Sequence, residues 1–141
     1  MNEYQGTELT GVIDTDPSQQ EYLQQLDLDT IFYSSLAEYI ENHPSAGDTD
    51  VINICVPNGL HASLAIHALE NNYHVVIEKP MALNRRECEG IIEAALQSSK
   101  KVFVVKQNRY SPPSKWLKQV VSKGYSWGYL PGGDQLPLEP R

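Results

Sequence analysis

Residues 51–84 read VINICVPNGLHASLAIHALENNYHVVIEKPMALN, and the way they are read decides the fold. With Asp50, the run "DVINICV" (50–56) is almost continuously apolar and is closed by Pro57-Asn58-Gly59, the pattern of a parallel strand buried on both faces. Leu60, Leu64, Ala65, Ala68 and Leu69 then fall on one helical stripe. "HVVIE" (74–78) is β-branched and predicts the next strand. Asn84 and Glu87 have the spacing of a capping box, and Cys88, Ile91, Ile92, Ala95 and Leu96 form the apolar face of the helix behind it. Strand, helix, strand and helix at this spacing predict βαβ units in a parallel sheet covered by helices.

The same alternation extends outward. Upstream, "ELTGVID" (8–14) reads as a strand ending in an acid, followed by a turn and a polar helix over Ser18 to Leu26. "TIFYS" (30–34) is a short strand or an extended loop, and "LAEYIEN" (36–42) a short helix. Downstream, "KVFVVK" (101–106) is another strand, and Pro112-Pro113 opens a helix carrying Trp116, Leu117 and Val120. The periodicity stops after Gly124. "YSWGYLPGGDQLPLEPR" (125–141) follows neither period, so the expected division is a domain over 1–124 and an irregular tail over 125–141.

Composition bounds the function. A chain of 141 residues is long enough for one domain with a real core. The net charge of −7 argues against a nucleic-acid or anionic-membrane surface, which needs clustered Lys and Arg. No apolar run approaches ~18 residues, so no membrane span is expected, and the polar start is no signal peptide. Cys55 lies in an apolar strand and Cys88 in a helical pattern, without metal-like or CxxC spacing. They predict two buried, reduced thiols in a cytoplasmic protein. His43, His67 and His74 have no carboxylate or cysteine spacing that makes a metal site.

Ligands of parallel sheets sit beyond the carboxyl ends of the strands. Four polar clusters occupy those places: Asp14, "PNGLH" (57–61), "EKP" (78–80) and "KQNRY" (106–110). Each has a plain structural reading. Asp14 can form the turn before Asp16-Pro17, and Asn58-Gly59 can be a turn. His61 can be an ordinary first-turn residue, Glu78 and Lys79 a solvated pair, and Arg109 and Tyr110 rim residues. Four clusters at four successive strand ends nonetheless form the pattern of a single site.

Residues 51–84 closely resemble the glucose–fructose oxidoreductase / inositol dehydrogenase family (Gfo/Idh/MocA), NAD(P)-dependent enzymes acting on sugars and cyclitols. The resemblance runs from about Glu8 to Gly124. Its most specific motif is "EKP", preceded by a β-branched run and followed by a capped helix, with "PNGLH" about twenty residues upstream. The resemblance implies that Lys79 reaches the reacting carbon and assists proton movement from the hydroxyl being oxidised. It implies that Asp14 binds the adenosine ribose, that Glu78 contacts the cofactor, and that Pro80 fixes the backbone through a cis bond. Pro57, Asn58 and His61 would line the cofactor groove, with Asn108 and Arg109 near the nicotinamide. The cofactor would be NAD or NADP, and Asp14 favours NAD because a carboxylate repels a 2′-phosphate. The substrate would be a sugar or nucleotide sugar. "VVKQNRYSPP" looks most like members that oxidise UDP-N-acetylaminosugar uronates.

Two departures from the family shape the expectations. No GxGxxG loop precedes Asp14, although such a loop binds the pyrophosphate. The expected fold is therefore α/β, an incomplete Rossmann-type doubly wound parallel sheet lacking the first strand, the glycine-rich loop and the first helix. In the usual order 3-2-1-4-5-6 the missing strand is central. The strand before Asp14 and the strand after the helix of His61 are then expected to face a gap, which favours a homo-oligomer. The family's C-terminal substrate domain has no counterpart after Gly124. The tail itself reads as a frameshift near codon 125, since codons for it can be chosen so that a one-nucleotide shift restores a strand-like string. The chain is thus expected to be a truncated NAD(P)-dependent oxidoreductase, inactive in isolation and weak in cofactor binding. The alternative is a non-catalytic remnant or binding module that keeps only the fold.

Overall fold

A computed structural model of the chain describes residues 6–26, 30–44 and 46–122; the irregular tail and its frameshift reading lie outside the described residues. The chain divides into two compact units, Met1–Val104 and Val105–Arg141. The first unit runs β1 (Gly11–Ile13), α1 (Ser18–Gln25), β2 (Ile31–Tyr33), α2 (Leu36–Asn42), β3 (Val51–Ile54), α3 (His61–Glu70), β4 (His74–Ile77), α4 (Arg85–Ser98) and β5 (Val102–Val104). In the second unit a 3-10 turn, Gln107–Tyr110, precedes α5 (Pro112–Ser122). Every element the periodicity predicted among the described residues is present, and "TIFYS" resolves as a strand.

All strand pairs are parallel, as alternating strands and helices require. They form two sheets. β1 pairs with β2, Gly11 opposite Ile31, and β3–β4–β5 make the second, with Val51 opposite His74 and Val75 opposite Val102. No ladder joins the two among the described residues. The gap therefore exists, but one of its edges was misassigned. β4, the strand after the helix of His61, is paired on both sides. In this sheet β3 and β5 have one partner each among the described residues, and the edge that borders the groove toward β1 is β3, which precedes that helix.

Register fixes the two faces of the larger sheet. Ile52, Ile54, Val75, Ile77 and Val102 share one face by pairing. On it Val75 and Ile77 are fully buried beneath α3, against which α4 packs in turn. Ala65 and Ala68 are fully buried on α3, and such small side chains let α3 and α4 pack closely. The opposite face carries Val51 and Phe103, about half exposed, together with exposed Asn53. The expectation that β3 is buried on both faces is thus corrected; its continuous apolar run reflects one packed face and one open one. On α4, Ile91 and Ala94 are buried while Ile92 and Leu96 point outward, so the inner stripe is rotated from the predicted one. Cys55 is exposed rather than buried, because it lies beyond the last paired residue of β3; Cys88 is half-buried.

Candidate functional site

The site grows from turns at the carboxyl ends of β1, β3 and β4. After β1, the Asp14 amide continues the ladder by donating to Tyr33 O (3.1 Å). Asp14 Oδ1 accepts from the Asp16 amide (2.9 Å), closing an Asx turn. Asp16 Oδ1 in turn accepts from the Ser18 amide (2.9 Å) at the start of α1, and that backbone bond holds its carboxyl below the usual range. The second oxygen of Asp14 makes no hydrogen bond among the described residues. Turn-former and ligand acid are therefore compatible roles, one oxygen for each.

After β3 the chain turns through Pro57, whose carbonyl accepts from the Leu60 amide (2.9 Å), and a short 3-10 turn (Asn58–Leu60) delivers it into α3. After β4, the Glu78 amide donates to Ile54 O (3.1 Å), extending the pairing by one residue and fixing where the turn begins. Glu78 Oε2 accepts from the Lys79 amide (3.2 Å), and the Lys79–Pro80 peptide is cis. The Lys79 side chain is exposed and makes no ion pair or hydrogen bond among the described residues. The far end of this turn is pinned by the predicted capping box. Asn84 Oδ1 accepts from the Glu87 amide (3.0 Å), while Glu87 Oε2 reaches back to the amide of Leu83 (3.0 Å).

A groove of about 340 Å³ separates the two sheets at these ends. Ile13, Asp14, Ser34 and Leu36 line one wall, and Ile52 to Pro57 with Leu60 the other. A second hollow, about 420 Å³, is lined by Asp48, Asn72, Ser99 and Lys100, which precede β3, β4 and β5. It lies at the amino ends of the strands, the wrong end for ligands of a parallel sheet.

Asp14 and Pro57 therefore share one groove, while Asn58, Glu78, Lys79 and Pro80 occupy the neighbouring turns. His61 is fully buried, with Nδ1 2.7 Å from Pro80 O and Nε2 2.9 Å from Val56 O, so its ring joins the two turns from behind. Asn108 and Arg109 are exposed on the 3-10 turn of the second unit. Sequence reasoning missed Ser34, Asn53 and Cys55 as groove residues. Ser34 directly follows β2, so the strand-end rule applied to the doubtful strand "TIFYS" would have found it. Among the described residues, no group of three or more His, Cys, Asp or Glu is placed to hold a metal ion, and no helix is long and apolar enough to cross a membrane.

Comparison with known proteins agrees with this geometry. The WlbA dehydrogenase of Chromobacterium violaceum, solved with NADH and UDP-GlcNAcA, superposes with a TM-score of 0.72 at 29% identity, covering 84% of this chain and 33% of that one. The Bordetella pertussis WlbA dehydrogenase, solved with the same two ligands, gives 0.72 and 29% over 84% and 34%. The inositol 2-dehydrogenase of Salmonella paratyphi B is 31% identical over 90 residues, 62% of this chain and 27% of the relative. The chain thus spans about a quarter to a third of the length of these relatives. A family model described as "Oxidoreductase family, NAD-binding Rossmann fold" matches residues 1–106. With three quarters of its length inside that match, the chain belongs to the Gfo/Idh/MocA oxidoreductase family.

Proposed function

We propose that these residues form the cofactor-binding part of an NAD-dependent dehydrogenase acting on a sugar or nucleotide sugar in the cytoplasm. The observation that carries the reading is the meeting of Asp14 and Pro57 on one groove, with the Glu78-Lys79-Pro80 turn tied to the end of the same β3 strand through Ile54 O. The residues present fit the adenosine end of the cofactor. The groove volume falls in the ~300–1,000 Å³ range of ligand sites. Ile13, Leu36, Val56 and Leu60 offer apolar contact for a flat base, and the unused oxygen of Asp14 suits a ribose hydroxyl. Bound NAD supplies the hydride acceptor. Lys79, exposed and without an ionic partner among the described residues, would carry the proton released by the substrate hydroxyl. The nucleotide-sugar preference draws on the WlbA likeness, and the cytoplasmic setting on two cysteines that are both free.

A second reading, a non-catalytic module retaining the fold, is favoured by one feature: the 141 residues contain no GxGxxG. The isolated polypeptide is accordingly expected to give no measurable turnover, and a partner chain at the edges of β1 and β3 that are unpaired among the described residues is expected to make it a homo-oligomer.

The test is titration of NAD into the 15N-labelled chain. The amides of residues 13–15, 56–58 and 78–80 should shift together with millimolar affinity, and Asp14→Ala should weaken the effect. An unperturbed spectrum ends the cofactor reading. In a full-length protein carrying these residues, Lys79→Ala should lower kcat more than it changes KM, since proton transfer is a transition-state interaction. Near-normal kcat would remove Lys79 from the chemistry.

A further inference from the structure

His61 stands where the turn carrying Lys79 meets the rest of the unit. The ring is fully buried at the first position of α3, and each of its nitrogens faces a backbone carbonyl: Pro80 O at 2.7 Å from Nδ1, Val56 O at 2.9 Å from Nε2. Carbonyls only accept, and a neutral imidazole has a single N–H to give. The titratable groups on the two turns the ring touches, Cys55, Glu78 and Lys79, make no bond to it. A neutral ring therefore donates to one of the two carbonyls.

The turns differ in their need for it. The Val56–Pro57 turn is closed by the bond from Leu60 N to Pro57 O. The EKP turn, by contrast, is held at its ends by Glu78 N to Ile54 O and Leu83 N to Glu87 Oε2, and residues 79–82 between them take part in two described hydrogen bonds: Lys79 N to the carboxylate of its own neighbour, and the contact of Pro80 O with His61. The shorter contact is also the one to Pro80.

We propose that His61 is a positioning residue for Lys79, its Nδ1–H donated to Pro80 O and so fixing the place of the Lys79–Pro80 turn. The functional meaning of this bond rests on the reading of Lys79 given above, but the bond itself is tested without turnover. Long-range 1H–15N spectra of the full chain at neutral pH report which ring nitrogen carries hydrogen. A protonated Nδ1 supports the proposal, and a bare Nδ1 overturns it. Substitution gives an independent arm that a merely space-filling histidine would not satisfy. The amide of Asn reaches the place of Nδ1, and that of Gln the place of Nε2. His61→Asn should keep the amide resonances of 79–82 near their original positions, while His61→Gln and His61→Phe should displace them. Equal behaviour of Asn and Gln, or rescue by Gln alone, overturns the assignment. Should the bond be found and Lys79→Ala leave kcat intact in the full-length protein, the catalytic reading fails while the positional one stands.

Discussion

The two sheets of the first unit are stabilised by different means. β3–β4–β5 rest on an aliphatic core in which Leu69, Val75, Ile77 and Ile91 are fully buried between strands and helices. β1–β2 have little of this: α1 buries no residue, and all three residues of β1 are only half-buried. Their order comes from rings. Tyr33 meets Tyr39 edge-on at 5.1 Å, His43 stacks on Tyr39 at 4.3 Å, and the Tyr39 hydroxyl is 3.0 Å from Thr10 Oγ1. Tyr73 ties the halves together, donating its hydroxyl to His43 O (2.9 Å) and lying 6.0 Å from Tyr39. Burial raises the pKa of that hydroxyl, which keeps it a donor. The contrast has a functional side. The EKP turn is mounted on the well-packed half, and Asp14 on the half with fewer buried apolar contacts, where local opening costs less.

The largest effect should follow from cutting into the aliphatic half. Leu69→Ala removes a side chain with no exposure, and such truncations cost about 2–5 kcal/mol through lost burial and the cavity left behind. Because that half holds most of the core, the loss should appear in global unfolding by urea. A loss well under 1 kcal/mol would mean that the packing of α3 on β4 contributes far less than its burial implies.

A smaller, more local effect should follow in the aromatic half. A Cβ at Gly11 would lie 2.8 Å from Cε2 of Tyr39 and 3.0 Å from Cε2 of Tyr33, two rings that already brace each other. Gly11→Ala should therefore cost about 1–3 kcal/mol by overpacking. Hydrogen exchange should quicken at residues 11–14 and 31–33 while residues 75–77 keep their protection. Equal loss of protection at β4 would show a single cooperative unit and break the comparison between the halves.

Much of this was legible in the sequence because it is local. The β-branched run into "EKP", the Asn84–Glu87 capping box and the apolar stripe of α3 each encode their structure within about ten residues, and each appears as read except for Leu60, which precedes α3 and is half exposed. What failed depended on neighbours in space. An apolar run cannot say whether both faces of β3 are covered, so Val51 and Cys55 were placed inside. Strand adjacency is not chain order, so the edge was assigned to β4 instead of β3. His61 marked an important position but not its role, because the partners of its ring are backbone carbonyls five and nineteen residues away, which carry no side-chain signal.

The smallest effect should come from acid, and it sharpens the comparison because its groups lie in the aromatic half. Glu38 Oε2 accepts from the hydroxyl of Ser34 (2.6 Å) and from its amide (2.8 Å), while the Glu38 amide donates to the Ser35 hydroxyl (3.2 Å). The Ser34 hydroxyl first, and its amide second, hold the Glu38 carboxyl below its ordinary value of 4.5. The unfolded chain then takes up the proton more readily than the folded one. The contribution is complete above that ordinary value and is lost as the pH falls below it toward the lower folded value. Asp16 follows the same rule from 3.8 through its bond to the Ser18 amide. Both carboxylates are fully exposed, so solvent keeps the effect small. Lowering the pH through this range should loosen the starts of α1 and α2 before it disturbs β3–β5, and Glu38→Gln should abolish the part belonging to α2. Carboxyl NMR showing Glu38 titrating at its ordinary value would remove this bond from the account of what holds the aromatic half.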